Sequence, residues 1–173
     1  FAVSVWVNTT KTDPNDSGAI IGKTEASFRM GTEYFIAKNG GRGITIGLYD
    51  NTPLLGFGHG NSAMLRTATV NTFFSANDNE SEHVTVVVDA PNNKVIFYKD
   101  GGPNGGVNGS KTEVDLVSQP SHLYKEMQNT TANVTIGNYH ETFLDGAFEG
   151  KMSNLIVFKQ TTSQSALNDS DVL

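Results

Sequence analysis

Thr135-Ile-Gly-Asn-Tyr-His-Glu-Thr-Phe-Leu-Asp-Gly-Ala-Phe-Glu-Gly-Lys-Met-Ser-Asn-Leu-Ile-Val-Phe-Lys-Gln160 carries the clearest fold signal of the chain. It holds most of one strand-like run, Val134 to Gly137, and all of a second, Lys151 to Phe158, separated by the Gly, Asn and Asp residues that tight turns accept. Leu155-Ile156-Val157-Phe158 is apolar at consecutive positions, hence on both faces of a pleat, which predicts a central strand covered on both sides. Comparable runs recur at Phe1 to Val7, Tyr34 to Lys38, Gly43 to Tyr49, Ala68 to Phe74, His83 to Val88, Val95 to Lys99 and Glu113 to Val117. Val86-Val87-Val88 is likewise apolar on both faces. Asn39-Gly40 and Asp100-Gly101 are hairpin-type dipeptides, and Asp89 to Lys94 is a short turn between two strands, so the strands run antiparallel. The predicted fold is all-β, a two-sheet antiparallel sandwich.

The motifs carry a resemblance that spans most of the chain. Phe1-Ala-Val-Ser-Val-Trp-Val, His83-Val-Thr-Val-Val-Val-Asp, Val95-Ile-Phe-Tyr-Lys-Asp-Gly and the closing stretch together resemble a laminin G-like module of the concanavalin A-like jelly-roll group. Many animal modules of that kind carry cysteine after the last Phe-X-Gly, whereas Lys151 follows Gly150 here, a departure that favours the broader concanavalin A-like group. The resemblance implies one module over 1–173, part of a longer surface protein, opening inside its second or third strand with the preceding strand absent from this chain. It also implies a core position for Trp6, the only tryptophan.

Composition narrows the function classes. The chain has 173 residues, a formal net charge of -6 and 12 basic residues spread along its length, which argues against nucleic acid and anionic lipid as partners. No apolar run approaches the roughly 18 residues of a membrane-spanning helix, so no membrane insertion is expected. Cysteine is absent, which excludes thiolate metal sites, redox motifs and cysteine nucleophiles. Seven Asn-X-Ser/Thr acceptors, at Asn8, Asn15, Asn79, Asn108, Asn129, Asn133 and Asn168, point to an N-glycosylated chain at an extracellular or cell-surface location. The competing reading is that an Asn- and Thr-rich β protein collects such triplets in its turns. The glycine-rich segment Asp100 to Ser110 reads as a surface loop rather than a phosphate cradle, because no Lys-Ser/Thr helix start follows it.

Catalysis has one sequence hint. Glu113-X-Asp115 resembles the start of the acid triad on one strand of concanavalin A-like glucanases, but Val117 and Ser118 stand where the third acid belongs. Both carboxylates are therefore read as solvent-facing strand residues, and the protein as no enzyme. His59, His83, His122 and His140 lack metal-ligand or hydrolase spacing and are read as strand-edge or loop residues. Asp13 to Gly18 begins like a calcium loop, yet Thr24 occupies the position of the bidentate Glu. No cofactor is required. The resemblance does imply a structural calcium at a loop edge, for which Asp50, Asp78 and Asp145 are the candidate side chains.

The expected function is a non-catalytic extracellular recognition or adhesion module, binding glycans or surface proteins through loops at one end of the sandwich or on its concave face. Tyr49, Tyr139 and Phe143, read as loop aromatics, with Asp50 and Asp145 are its candidate ligand-binding residues. The alternative is a homo-assembling structural glycoprotein subunit of a surface layer, sheath or filament, with packing contacts at sheet edges. Glycan hydrolysis ranks third, for lack of the last carboxylate.

Overall fold

The computed structural model describes residues 1–9, 17–24, 33–50, 64–75, 80–105, 109–116, 127, 130–139 and 146–158. They form ten strands: β1 (Ala2–Thr9), β2 (Gly18–Lys23), β3 (Tyr34–Asn39), β4 (Gly43–Asp50), β5 (Met64–Val70), β6 (Ser81–Asp89), β7 (Lys94–Lys99), β8 (Ser110–Asp115), β9 (Val134–Ile136) and β10 (Gly150–Phe158). Two five-stranded sheets result. Sheet A has the order β10-β1-β6-β7-β8 and sheet B the order β5-β4-β3-β2-β9. Every strand pairing within them is antiparallel. The fold is the expected all-β antiparallel sandwich of jelly-roll type.

Alternation along the strands explains how the sheets meet. Val3, Val5 and Val7 of β1, Val84, Val86 and Val88 of β6, and Val95 and Phe97 of β7 point inward from sheet A. They meet Ile20 and Ile21 of β2, Tyr34 and Ile36 of β3, Ile44, Ile46 and Leu48 of β4, and Ala68 of β5 in one buried cluster. The opposite face of sheet A carries a smaller buried cluster of Ala2, Val87, Ile96 and Tyr98. Val86 to Val88 are therefore covered on both sides, as their consecutive apolar character predicts.

The turns follow their chemistry. Gly40 and Gly41 adopt φ of 53° and 68° between β3 and β4. Between β6 and β7 a short 3-10 turn, Ala90–Asn92, ends on left-handed Asn93, whose N–H donates to the Ala90 carbonyl at 3.1 Å. Asp100 and Gly101, also with positive φ, close β7 onto β8.

Several expectations are corrected. β10 is not central: among the described residues it is the edge of sheet A, paired with β1 alone. Its Leu155 packs on the core, but Ile156, Val157 and Phe158 are exposed. The register of β10 against β1 shifts between Ser4 and Trp6, where Asn154 takes a left-handed φ of 52°. Trp6 is not a core residue. It lies on the outer face of sheet A, 41% exposed, because Val5 and Val7 on either side of it take the inward positions. β2 was not anticipated, and β5 runs Met64–Val70 rather than Ala68 to Phe74. Phe73 and Phe74 lie beyond the strand, with both their N–H groups bonded to the Arg42 carbonyl. β8 begins at Ser110, three residues before Glu113, and ends at Asp115.

Candidate functional site

The outer face of sheet B brings aromatic rings and hydroxyls onto one surface. Thr135 of β9, Gly22 of β2, Phe35 of β3, Gly47 of β4 and Thr67 of β5 are successive cross-strand partners in a single row. Tyr34 and Ile36 point into the core, so Phe35 between them must point out. Its ring lies across Gly47, where a Cβ would come within 2.2 Å of Phe35 Cε1. Glycine at that position gives the ring a floor of bare backbone.

Tyr139, three residues after β9, completes the surface. Its ring meets Phe35 edge-on, with centroids 5.2 Å apart and planes at 78°. Beneath it lies Gly146, whose absent Cβ would stand 2.4 Å from Tyr139 Cδ2. The backbone of Tyr139 is pinned as well: its carbonyl accepts from the Thr24 hydroxyl and from Thr135 Oγ1, and its N–H donates to Asn138 Oδ1 at 2.7 Å. Burial raises the phenol pKa, so the hydroxyl stays protonated and can donate across the physiological range. Both rings are half-buried. Beside the row, Thr45 Oγ1 and Thr69 Oγ1 lie 2.8 Å apart, and Thr67 is exposed. The arrangement is a fixed, neutral aromatic pair bordered by hydroxyls, suited to taking the apolar face of a polyhydroxylated ligand and bonding its rim.

The sequence-predicted residues divide around this surface. Tyr139 belongs to it. Tyr49 is not in a loop as expected: it lies in β4, and the alternation that buries Ile44, Ile46 and Leu48 puts it on the same outer face as Gly47. It is only 5% exposed, with its N–H donating to the Glu33 carbonyl at 2.9 Å, so its ring offers no open stacking surface. Asp50 ends the same strand opposite Met64. Phe143, Asp145 and Asp78 lie outside the described residues, as do Asn15, Asn79, Asn108, Asn129 and Asn168. Asn8 ends near the close of β1, and Asn133 is exposed just before β9. Phe35 was missed. Its signal was present in Tyr34-Phe-Ile-Ala-Lys38, but a run apolar at consecutive positions does not reveal which parity faces out.

Two other clusters bear on catalysis. Glu113 is exposed and ion-paired to Lys94 Nζ at 3.0 Å and to Lys111 Nζ at 3.2 Å, with Asp115 also exposed, as expected of solvent-facing strand residues. Hydrogen bonds from the two lysines hold the Glu113 carboxyl below its usual range, the opposite of what a proton donor needs. His83 was expected at a strand edge or in a loop, but it sits within β6, in the interior of sheet A. Its Nε2 is 2.7 Å from Ser4 Oγ, which also accepts from Thr85 Oγ1 at 3.2 Å. This is not the geometry of a hydrolase triad: Asp100 Oδ1 accepts the backbone N–H of His83 at 2.8 Å, and Ser4 is buried. Among the described residues no three His, Asp or Glu side chains converge as a metal site.

No protein-family model matches the chain, and no curated protein sequence does. Solved structures do. The chain is similar to the CBM40 carbohydrate-binding module of the Ruminococcus gnavus IT-sialidase bound to α2,3-sialyllactose, with a TM-score of 0.58 at 14% identity, covering 99% of this chain and 79% of that one. The same module bound to α2,6-sialyllactose gives a TM-score of 0.56 at the same identity and coverage. At this identity the likeness is one of fold.

Proposed function

We propose that the protein is a non-catalytic extracellular recognition module that binds glycans on the outer face of sheet B. The observation that carries this reading is the edge-on pair of Phe35 and Tyr139, 5.2 Å apart over Gly47 and Gly146 and bordered by threonine hydroxyls. A sugar ring presents one face of C–H groups and a rim of hydroxyls, and this surface supplies a partner for each. The sandwich shared with a module solved with sialyllactose supports carbohydrate as the ligand class. The motif resemblance to laminin G-like modules supports the extracellular setting. The expectation from sequence named loops at one end of the sandwich or its concave face, and the site proposed here is a sheet face. The ion-paired state of Glu113 favours binding over hydrolysis.

The test is a glycan array probed with the wild-type chain and with Phe35→Ala and Tyr139→Ala. Each substitution removes one stacking ring and is expected to lower affinity for the best ligand by about tenfold, the loss of about 1.4 kcal/mol of contact. Unchanged binding by both variants would dismiss this face as the site.

A second reading, assembly into a surface structure, has its own observation. Among the described residues β9 and β10 are the edges of the two sheets on the side away from β5 and β8, and between them they expose Val134, Ile136, Ile156, Val157 and Phe158. Exposed apolar edge strands are surfaces onto which another copy can add a strand. Sedimentation of the chain at rising concentration, with Ile136→Lys and Val157→Lys as variants, decides it. Association abolished by both variants supports assembly, and a monomer at every concentration rejects it.

A further inference from the structure

Trp6 is the only tryptophan of the chain, and the fold holds it 41% exposed on the outer face of sheet A. Asn8 follows on the same strand and the same parity, so the two side chains leave the same face about 7 Å apart along β1. Asn8-Thr9-Thr10 is an N-glycosylation acceptor. Of the seven acceptors it alone has an aromatic residue two positions before the asparagine: the others have Asp13, Asn77, Gly106, Met127, Thr131 and Ala166 there.

We propose that Asn8 carries an N-linked glycan whose first N-acetylglucosamine packs on the exposed ring of Trp6. The indole offers an apolar plane that the sheet leaves open, and the sugar offers a C–H face to cover it. His83, the cross-strand partner of Trp6 on β6, backs the indole with ring centroids 5.1 Å apart, and Ser153 borders it on β10. On its own row Asn8 lies between Lys151 and Ser81. Asn8 Nδ2 donates to Ser81 Oγ at 3.4 Å, and a glycosylated amide keeps one N–H for that contact. The sugar thus leaves an anchored amide and needs only to fold back two residues to reach the ring. This inference is independent of the binding face on sheet B.

The sole tryptophan makes the test direct, because indole fluorescence reports on Trp6 and nothing else. The full chain is secreted from eukaryotic cells held at oligomannose glycans, and occupancy of Asn8 is measured by peptide mass spectrometry. Acrylamide quenching is then compared for the intact glycoprotein, the form trimmed by endoglycosidase to one N-acetylglucosamine per site, and the Thr10→Ala variant, which keeps the asparagine but not the acceptor. The intact and trimmed forms are expected to share a quenching constant about twofold below that of the variant, since one sugar suffices to cover the ring. Asn8→Gln repeats the comparison by a second route. An unoccupied Asn8 overturns the proposal, and so does an occupied Asn8 with quenching equal to that of Thr10→Ala.

Discussion

Phe35 occupies the space that a side chain at Gly47 would need: a Cβ there would stand 2.2 Å from Cε1 and 2.4 Å from Cζ of the ring. The two residues are direct cross-strand partners, so the ring cannot keep its place if the floor is filled. Gly47→Ala should lift Phe35 off the sheet and away from Tyr139. Overpacking of this kind costs about 1–3 kcal/mol, which outweighs the strand-propensity gain of replacing glycine. A lower thermal midpoint together with weaker array binding is the expected result.

Glu33 is a buried carboxylate with three partners on one oxygen. Its Oε1 accepts from Lys23 Nζ and the Thr130 N–H, each at 2.5 Å, and from Thr130 Oγ1 at 3.1 Å. The contacts tie the end of β2 to the segment leading into β9. Glu33→Ala leaves the ammonium and the amide without that acceptor and is expected to destabilise by about 3–5 kcal/mol in urea denaturation. Glu33→Gln, which retains an acceptor oxygen, should cost less.

Burial lowers the imidazole pKa of His83 below 6.5, with the nearby Asp100 charge pulling the other way. The folded protein thus favours the neutral ring, and as pH falls the unfolded chain takes up the proton first. Stability contributed by His83 is complete above 6.5 and declines below it, until the folded ring titrates as well. Thermal midpoints measured from about pH 7 down to pH 5 should fall less steeply for His83→Gln than for the wild type.

Two phenylalanines in the same sheet should lose very different amounts of stability on truncation. Phe97, 0% exposed in β7, packs edge-on against Phe73 and sits in the main core. Phe97→Ala is expected to cost about 3–5 kcal/mol. Phe158 at the end of β10 is 41% exposed, and Phe158→Ala should cost under about 1 kcal/mol in the monomer. Chemical denaturation of the two variants checks the contrast.

The sandwich was legible because alternation and turn chemistry are local. Val84 to Val88 and Val95 to Lys99 needed only their own side chains and the Asp89 to Lys94 turn to be read as a hairpin. Position within a sheet is not local. The same both-sided apolar pattern that marks β6 as interior also marks β10, which the pairing puts at an edge. β2 went unread because Gly18 and Gly22 dilute a short strand whose place is set by β3 and β9. Trp6 could have been read correctly from its own strand: with Val3, Val5 and Val7 inward, the tryptophan faces out. The candidate site was half legible. Tyr139 was read as a loop aromatic, whereas Phe35 and its glycine floor meet it only through pairings between β2, β3 and β4.

The pairing of Ala2 with Phe158 has a mechanical consequence. The start of β1 and the end of β10 lie side by side at one corner of sheet A, so tension applied at these two points pulls the strands apart sideways instead of sliding them along each other. Their hydrogen bonds then load one pair at a time, and β10, held on one side only among the described residues, peels first. Under such tension the module would yield at low force by lengthening from that corner while β6 and β7 stayed folded.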